Sequence, residues 1–310
     1  MSTKSGTEER HSSAEALRLR LQRELGPEYE LGERLADGAV TMVFRLREAA
    51  GARELVVKSP RWESLHKDFS LEISALARVH DTHVVPVYVW ARQNDLCYCV
   101  QPFFSRHTLS DLMHMRKQFG AGEVGRVVGE MASGLDALHQ AGIAFCDVSP
   151  TDVALRDMDG RAVILGLGPV AVGQLDPNPD PECELIGANR RYYAPEMIRG
   201  LPTDRRTDQY MLAMIAFEMM SGSHPFGDHR TPSEMVVGML KAEPRSVRAL
   251  RPEIPQAVAD VIARALSRAP DDRFPSITAF AGALARMTET GDTPSPLVSL
   301  RRWWKAVIPT

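Results

Sequence analysis

From Tyr29 the period of apolar and polar positions is that of strands, interrupted by one helical stretch, and beyond about residue 105 the apolar positions recur mainly with a period near 3.6. Residues 29–35 (YELGERL) read as a strand, Asp37-Gly38 as a turn, and residues 43–46 as the returning strand. A turn at Ala50-Gly51 leads to a third strand over 54–58 (ELVVK). Residues 64–79 then turn helical, with Leu65, Phe69, Ile73 and Leu76 along one side, and two more strands are expected at 84–90 and 96–100. Residues 102–105 connect this part to a helical one. There, residues 123–140 carry Val124, Val127, Val128, Met131, Leu135 and Leu138 as one apolar stripe. Residues 207–221 are apolar nearly all round, which predicts a buried central helix. Further helices are expected near 233–241, 255–266 and 276–287. Ahead of all this, residues 1–12 read as disordered, and Ser12 or Ser13 caps a short helix over 14–25. Its Leu17, Leu21 and Leu25 form a stripe that either packs on the domain or receives a partner.

Composition adds bounds. The chain has 310 residues, 44% hydrophobic and 25% charged, the profile of an ordinary globular protein with a sizeable core. A net charge of −3 gives no reason to expect nucleic acid as the partner. The four cysteines (Cys97, Cys99, Cys146, Cys183) form no C-x-x-C pair, which fits buried thiols in a reducing cytoplasm. The N-terminus lacks the apolar stretch of a signal peptide, and no run reaches the roughly 18 apolar residues of a spanning helix. In the tail, residues 296–310 put Leu297, Leu300, Trp304 and Val307 on one helical face with Arg301, Arg302 and Lys305 elsewhere. Such a segment suits a membrane interface, the protein's own helical part or a partner equally.

Several anchors stand in a telling order. LVVK ends in Lys58, FSLEISALARV carries Glu72, YYAPE gives Ala194-Pro195-Glu196, Asp208 opens the central helix, and Arg273 lies in PDDRFPS. Together they resemble the eukaryotic-like Ser/Thr protein kinases of bacteria, over about residues 28–287. The resemblance implies an α+β, two-lobed kinase-like fold. Residues 1–27 would be a tail, 28–101 a five-stranded antiparallel N-lobe with its helix C, 102–287 a mainly helical C-lobe, and 288–310 a basic, tryptophan-containing tail. It also implies roles. Lys58 would meet the α/β-phosphates of ATP and pair with Glu72, although an ordinary surface pair is the alternative. Glu196 and Arg273 would form a buried ion pair. Gly38, Val43, Val56, Pro102, Phe104 and Ala154 would line the nucleotide, with Asp147 as catalytic base and Asp152 as a metal ligand.

The departures from the family fall on the chemistry. Its catalytic-loop motif reads Phe145-Cys146-Asp147-Val148-Ser149-Pro150-Thr151-Asp152, and its D-F-G reads Gly166-Leu167-Gly168. Phosphoryl transfer depends on positioning and on neutralising phosphate charge. Gly166 offers no side chain to a metal, Ser149 replaces the loop lysine, and of the Gly-rich loop only Gly38 remains between Ala36 and Thr41. Apolar stack positions are kept, with Leu76, Phe145 and Leu167. Val56 crowds the adenine roof while Ala154 relaxes its floor, so the two changes can offset in volume. Residues 169–193 contain no Ser or Thr to accept phosphate, only Tyr192 and Tyr193, and their prolines and acids suggest an exposed, non-helical loop. The expectation is a pseudokinase: a scaffold or regulatory module with protein partners, holding ATP or another nucleotide without metal. The alternative is an ATP-dependent Ser/Thr kinase with Asp147 as base and Asp152 as sole metal ligand. The location implied is cytoplasmic, with membrane contact open at the C-terminal tail.

Overall fold

A computed structural model describes residues 3–37, 41–51, 53–93, 96–104, 108–156, 159–166, 190–227 and 232–288. The fold divides into two compact units, Met1–Arg78 with Pro86–Phe103, and Val79–Val85 with Phe104–Thr310.

The first unit is built on one antiparallel sheet. Its elements are helix α1 (Thr3–Leu25), strands β1 (Tyr29–Asp37), β2 (Thr41–Glu48) and β3 (Glu54–Pro60), helix α2 (His66–Leu76), and strands β4 (Val89–Gln93) and β5 (Leu96–Pro102). The strand order is β1-β2-β3-β5-β4. Because side chains alternate across a pleated sheet, β5 splits into two sets. Leu96, Tyr98 and Val100 join Phe44, Leu46, Leu55 and Val57 in one core cluster, which Ala14, Leu21 and Leu25 of α1 complete. On the other face Cys97 meets α2, where Ser70 Oγ lies 3.3 Å from its sulfur. Coverage on both faces explains why LCYCVQ is buried throughout.

The leucine stripe of α1 is therefore domain packing. Polar contacts fix it as well: Gln22 Nε2 donates to the Tyr29 carbonyl at 2.9 Å, and the Leu31 N–H donates to Gln22 Oε1 at 3.0 Å. These bonds satisfy backbone of β1, an edge strand of the sheet. The helix begins at Thr3 rather than after a disordered stretch. Residues 3–13 contain one glycine and no proline, so a helix held by the stripe extends backward through them without a break.

The second unit contains helices α3 (Leu109–Arg116) and α4 (Ala121–Gln140), strands β6 (Val153–Leu155) and β7 (Ala162–Ile164), and helices α5 (Pro195–Ile198), α6 (Arg205–Ser221), α7 (Pro232–Lys241), α8 (Val247–Leu250), α9 (Gln256–Ala265) and α10 (Ile277–Thr288). All six apolar residues of the α4 stripe are buried. α6 is the buried centre, capped by Asp204 at its start and by Gly222, at φ +72°, at its end. α3, α5 and α8 are short and carry little periodicity, so the apolar pattern did not announce them.

The strand expected over 84–90 is a correction. Only Val89–Gln93 pairs in the sheet. Val85 N–H instead donates to the Ile164 carbonyl at 2.8 Å, and Ile164 N–H donates to the His83 carbonyl at 2.8 Å, so residues 79–85 belong with β7. Gly134 of α4 makes room for them: a Cβ there would lie 2.8 Å from the His83 carbonyl oxygen. A run of apolar residues does not say which neighbour its backbone will pair with.

Candidate nucleotide and phosphoryl-transfer site

In the second unit the site is built around a buried carboxylate. Asp208, fully buried in the first turn of α6, accepts the Phe145 N–H at 2.9 Å and the Cys146 N–H at 2.6 Å. His139 Nε2 lies 2.7 Å from its Oδ2. Cys146 stands at φ +52°, a conformation that costs a non-glycine residue energy and persists only where surroundings enforce it. Asp208 is that enforcement, and it fixes the backbone that carries the half-buried Asp147. The Cys146 thiol is itself buried, which pushes its pKa far up and keeps it protonated and inert.

Beyond Asp147 the loop closes on itself. The Ser149 N–H donates to Asp152 Oδ2 at 3.1 Å, and Ser149 Oγ donates to the same oxygen at 2.6 Å. With Pro150 at the first position this is a reciprocal cap on a single 3-10 turn, Pro150–Asp152. The Asp152 carbonyl accepts from Leu165 N–H at 2.8 Å, next to Gly166. Gly166 has φ +152°, where an L side chain is strained. Ala154, fully buried in β6, bridges Thr108, the N-cap of α3.

In the first unit Val43 and Lys58 are directly opposite on β2 and β3, Lys58 faces Cys99, and Val56 faces Gln101. By the pleat these residues share the sheet face opposite α1. Glu72 on α2 is buried. Burial pushes the Cys99 thiol up to about 12, with Lys58 pulling it down and Glu72 pushing it up, so both charges surround the same sulfur. Pro102 and Phe104 are half-buried in the connector, where the Phe103 N–H donates to the Glu54 carbonyl at 3.0 Å. Gly38, Leu167 and residues 168–189 lie outside the described residues, as does the tail 289–310.

Where the chain leads into α5, Tyr192 is buried and its hydroxyl donates to Glu218 Oε2 of α6 at 2.6 Å, while Arg191 pairs with the other oxygen. Burial foremost, and then Glu218, push that phenol up. Glu196 of α5 meets Arg273 in a two-pronged pair, both N–O distances 2.8 Å, with the arginine side chain fully buried. This is the pair that the order of anchors along the sequence implied.

The protein kinase domain model matches residues 29–282, the span that holds all of these features. The chain belongs to the protein kinase family. Its relatives are bacterial serine/threonine kinases. Pkn1 of Myxococcus xanthus is 26% identical over 263 residues, which cover 83% of this chain and 38% of Pkn1. PknF of Mycobacterium tuberculosis is 28% identical over 236 residues, 74% of this chain and 49% of that protein. A probable serine/threonine-protein kinase of Clostridium perfringens is 26% identical over 272 residues, 85% of this chain and 38% of its own length. The chain thus spans less than half of these kinases.

A kinase of this family uses ATP, usually with a metal, and the donor atoms decide whether a metal fits here. Mg²⁺ demands near-octahedral oxygen ligands. Gly166 supplies none, and its backbone disfavours a side chain. One Asp152 oxygen accepts two bonds from Ser149. Among the described residues no three of His, Cys, Asp and Glu gather into a metal-binding group. This donor set does not fit the family's metal. No described helix is long and apolar enough to cross a membrane.

One buried residue, Gln101, stands out only in three dimensions. It is 1% exposed, and among the described residues neither its Nε2 nor its Oε1 has a hydrogen-bond partner. The signal was in the sequence, as the one amide in the otherwise apolar and thiol-bearing run LCYCVQP, but apolar patterning gives it no weight.

Proposed function

We propose that the chain is a kinase-fold regulatory module that holds an adenine nucleotide without divalent metal and acts through protein contacts instead of phosphoryl transfer. The observation that carries this reading is the conversion of Asp152 into a cap for Ser149 beside a Gly166 that has no ligand to give. Lys58 and the connector backbone, Pro102 carbonyl and Phe104 N–H, keep the groups that phosphate and adenine require. On the sheet face that carries Lys58, Val43 and Val56 supply the apolar lining. The partner is a protein, and cytoplasmic placement fits the thiols.

A thermal-shift titration with ATP tests it. A ligand that binds only the folded form stabilises by RT ln(1 + [L]/Kd), about 2.7 kcal/mol at 100 Kd. The expected result is a rise in Tm that is unchanged by EDTA and by added Mg²⁺. A rise that disappears with the chelator overturns metal independence, and no rise at all overturns nucleotide binding.

A second reading, a Ser/Thr kinase of non-standard chemistry, is favoured by one feature: Asp147 is kept, next to backbone that Asp208 holds through the Phe145 and Cys146 N–H groups. The names of the relatives point the same way. Asp147→Asn separates the two readings. A positioned general base contributes about 10²–10⁴-fold to turnover. Under the proposed function wild type transfers no phosphate from radiolabelled ATP to a protein, and Asp147→Asn leaves partner capture unchanged. Phosphate incorporation that Asp147→Asn abolishes makes the second reading the correct one.

A further inference from the structure

The two edges of the five-stranded sheet are finished differently. At β1, helix α1 supplies partners: Arg18 Nη2 donates to the Leu31 carbonyl at 3.2 Å, and Gln22 bonds Tyr29 and Leu31. At the other edge β4 has a single neighbour, β5. Among the described residues no side chain bonds the backbone of Val89–Gln93. In an antiparallel ladder alternate residues turn their N–H and C=O groups to opposite sides, so the outer set of β4 is left open to water or to another strand.

This open edge is also apolar. Tyr88, whose N–H donates to the Val100 carbonyl at 2.9 Å as the chain enters β4, is 50% exposed, and Trp90 is 41% exposed. Val89 between them is exposed, and so is Leu71 of α2. Single apolar side chains at a surface are ordinary, whereas several gathered on one element mark a contact surface. Trp90 lies across from Cys99 and Arg92 across from Cys97, so by the pleat both stand on the sheet face that α2 covers. The exposed charged side chains described on α2 and β4, Lys67 and Arg92, are both cations, while Glu72 is buried.

We propose that β4 receives an extended, acidic segment of a partner protein as a sixth strand of this sheet. The inference gives a class of partner to the protein contacts proposed above, and it rests on that reading. Main-chain hydrogen bonds to the open edge supply affinity, and alternate side chains supply specificity. On the α2 side the added strand sets a carboxylate beside Arg92 and, two residues away, an apolar side chain beside Trp90, the favourable kinds of cross-strand pair. A second copy of β4 does not meet this need, because VWARQ contains no carboxylate and brings another arginine to a cationic edge.

The test titrates the full chain into a fluorescein-labelled peptide, TVTLTET, and reads anisotropy. The valine, leucine and glutamate of this peptide share one face of a strand. It is also made N-methylated at every second residue, in both registers, and with lysine in place of glutamate. The acidic peptide is expected to bind wild type. Methylation in one register abolishes binding and in the other keeps it, since only alternate N–H groups face β4. Arg92→Glu weakens TVTLTET about fivefold and strengthens the lysine peptide, the reversal expected of a cross-strand charge pair. Equal binding of the two methylated forms, or no binding of TVTLTET up to about 1 mM, overturns the strand addition. Self-association of the free chain that Arg92→Glu removes gives the edge to a second copy and overturns the acidic partner. None of these results touches the reading above, which fails instead if wild type transfers phosphate.

Discussion

Arg273→Ala is expected to lower the stability of the helical unit by about 3–5 kcal/mol, because it strands a buried charge. Glu196 is 4% exposed and has its two oxygens matched to the two Arg273 nitrogens. Thr207 Oγ1, 2.9 Å from Glu196 Oε1, is a neutral donor and does not replace a guanidinium. The arginine also donates to three carbonyls, Arg206 at 2.8 Å, Ser267 at 2.9 Å and Arg268 at 3.3 Å, and lies 4.8 Å from the Tyr210 ring centroid. One side chain thereby joins the start of α6, the end of α9 and the loop before α10, and truncation releases all three. Glu196→Ala should cost a similar amount for the opposite reason, an arginine left without its carboxylate. Exchanging both residues for leucine should cost less than either single change, since no charge stays buried. The measurement is the urea midpoint by far-UV circular dichroism. Because the chain has two units, the transition is resolved by fluorescence as well before a free energy is extracted. An Arg273→Ala midpoint equal to that of wild type would show that the pair stabilises nothing.

Asp208→Ala is the second large effect, at about 3 kcal/mol or more, since each buried group left stranded costs about 1–3 kcal/mol. Removing this carboxylate leaves the Phe145 and Cys146 N–H groups and the His139 ring without their shared acceptor. The loop has a further reason to relax, since nothing would then hold Cys146 at φ +52°. Asp208→Asn keeps one acceptor oxygen and should lie between alanine and wild type. Hydrogen exchange at residues 143–149 is the local readout. Faster exchange there in Asp208→Ala, beyond the global loss of stability, is the expected result. Exchange unchanged relative to α4 would mean that the carboxylate does not hold the loop.

The residues that carry these predictions were legible to different degrees. Arg273 and Glu196 could be paired from the sequence because the whole order of anchors resembles one family, and the pair is observed. Asp208 was recognised by position, yet its bonds to Phe145 and Cys146 join residues far apart in sequence and have no local signature. Asp152 read as a candidate metal ligand, since nothing in the string says that Ser149, three residues earlier, will take its oxygen. Gln101 has no signal in an alternating pattern, which weighs hydrophobicity and not hydrogen-bond satisfaction.

Sequence alone determined the elements with strong period: the strands of the first unit other than β4, and helices α2, α4, α6, α7, α9 and α10. Apolar stripes of fixed spacing can be buried in only one way for each element. It also determined which side chains are absent, the metal-binding group at Gly166 above all. The tertiary structure decided what depends on neighbours distant along the chain. Residues 79–85 left the expected strand because Ile164 offered their backbone its partners and Gly134 gave them space. The stripe of α1 became core because a sheet face stood open to it. Whether a polar side chain caps a turn or joins an ion pair is likewise set by what the fold brings within about 3 Å of it, and one-dimensional spacing does not contain that distance.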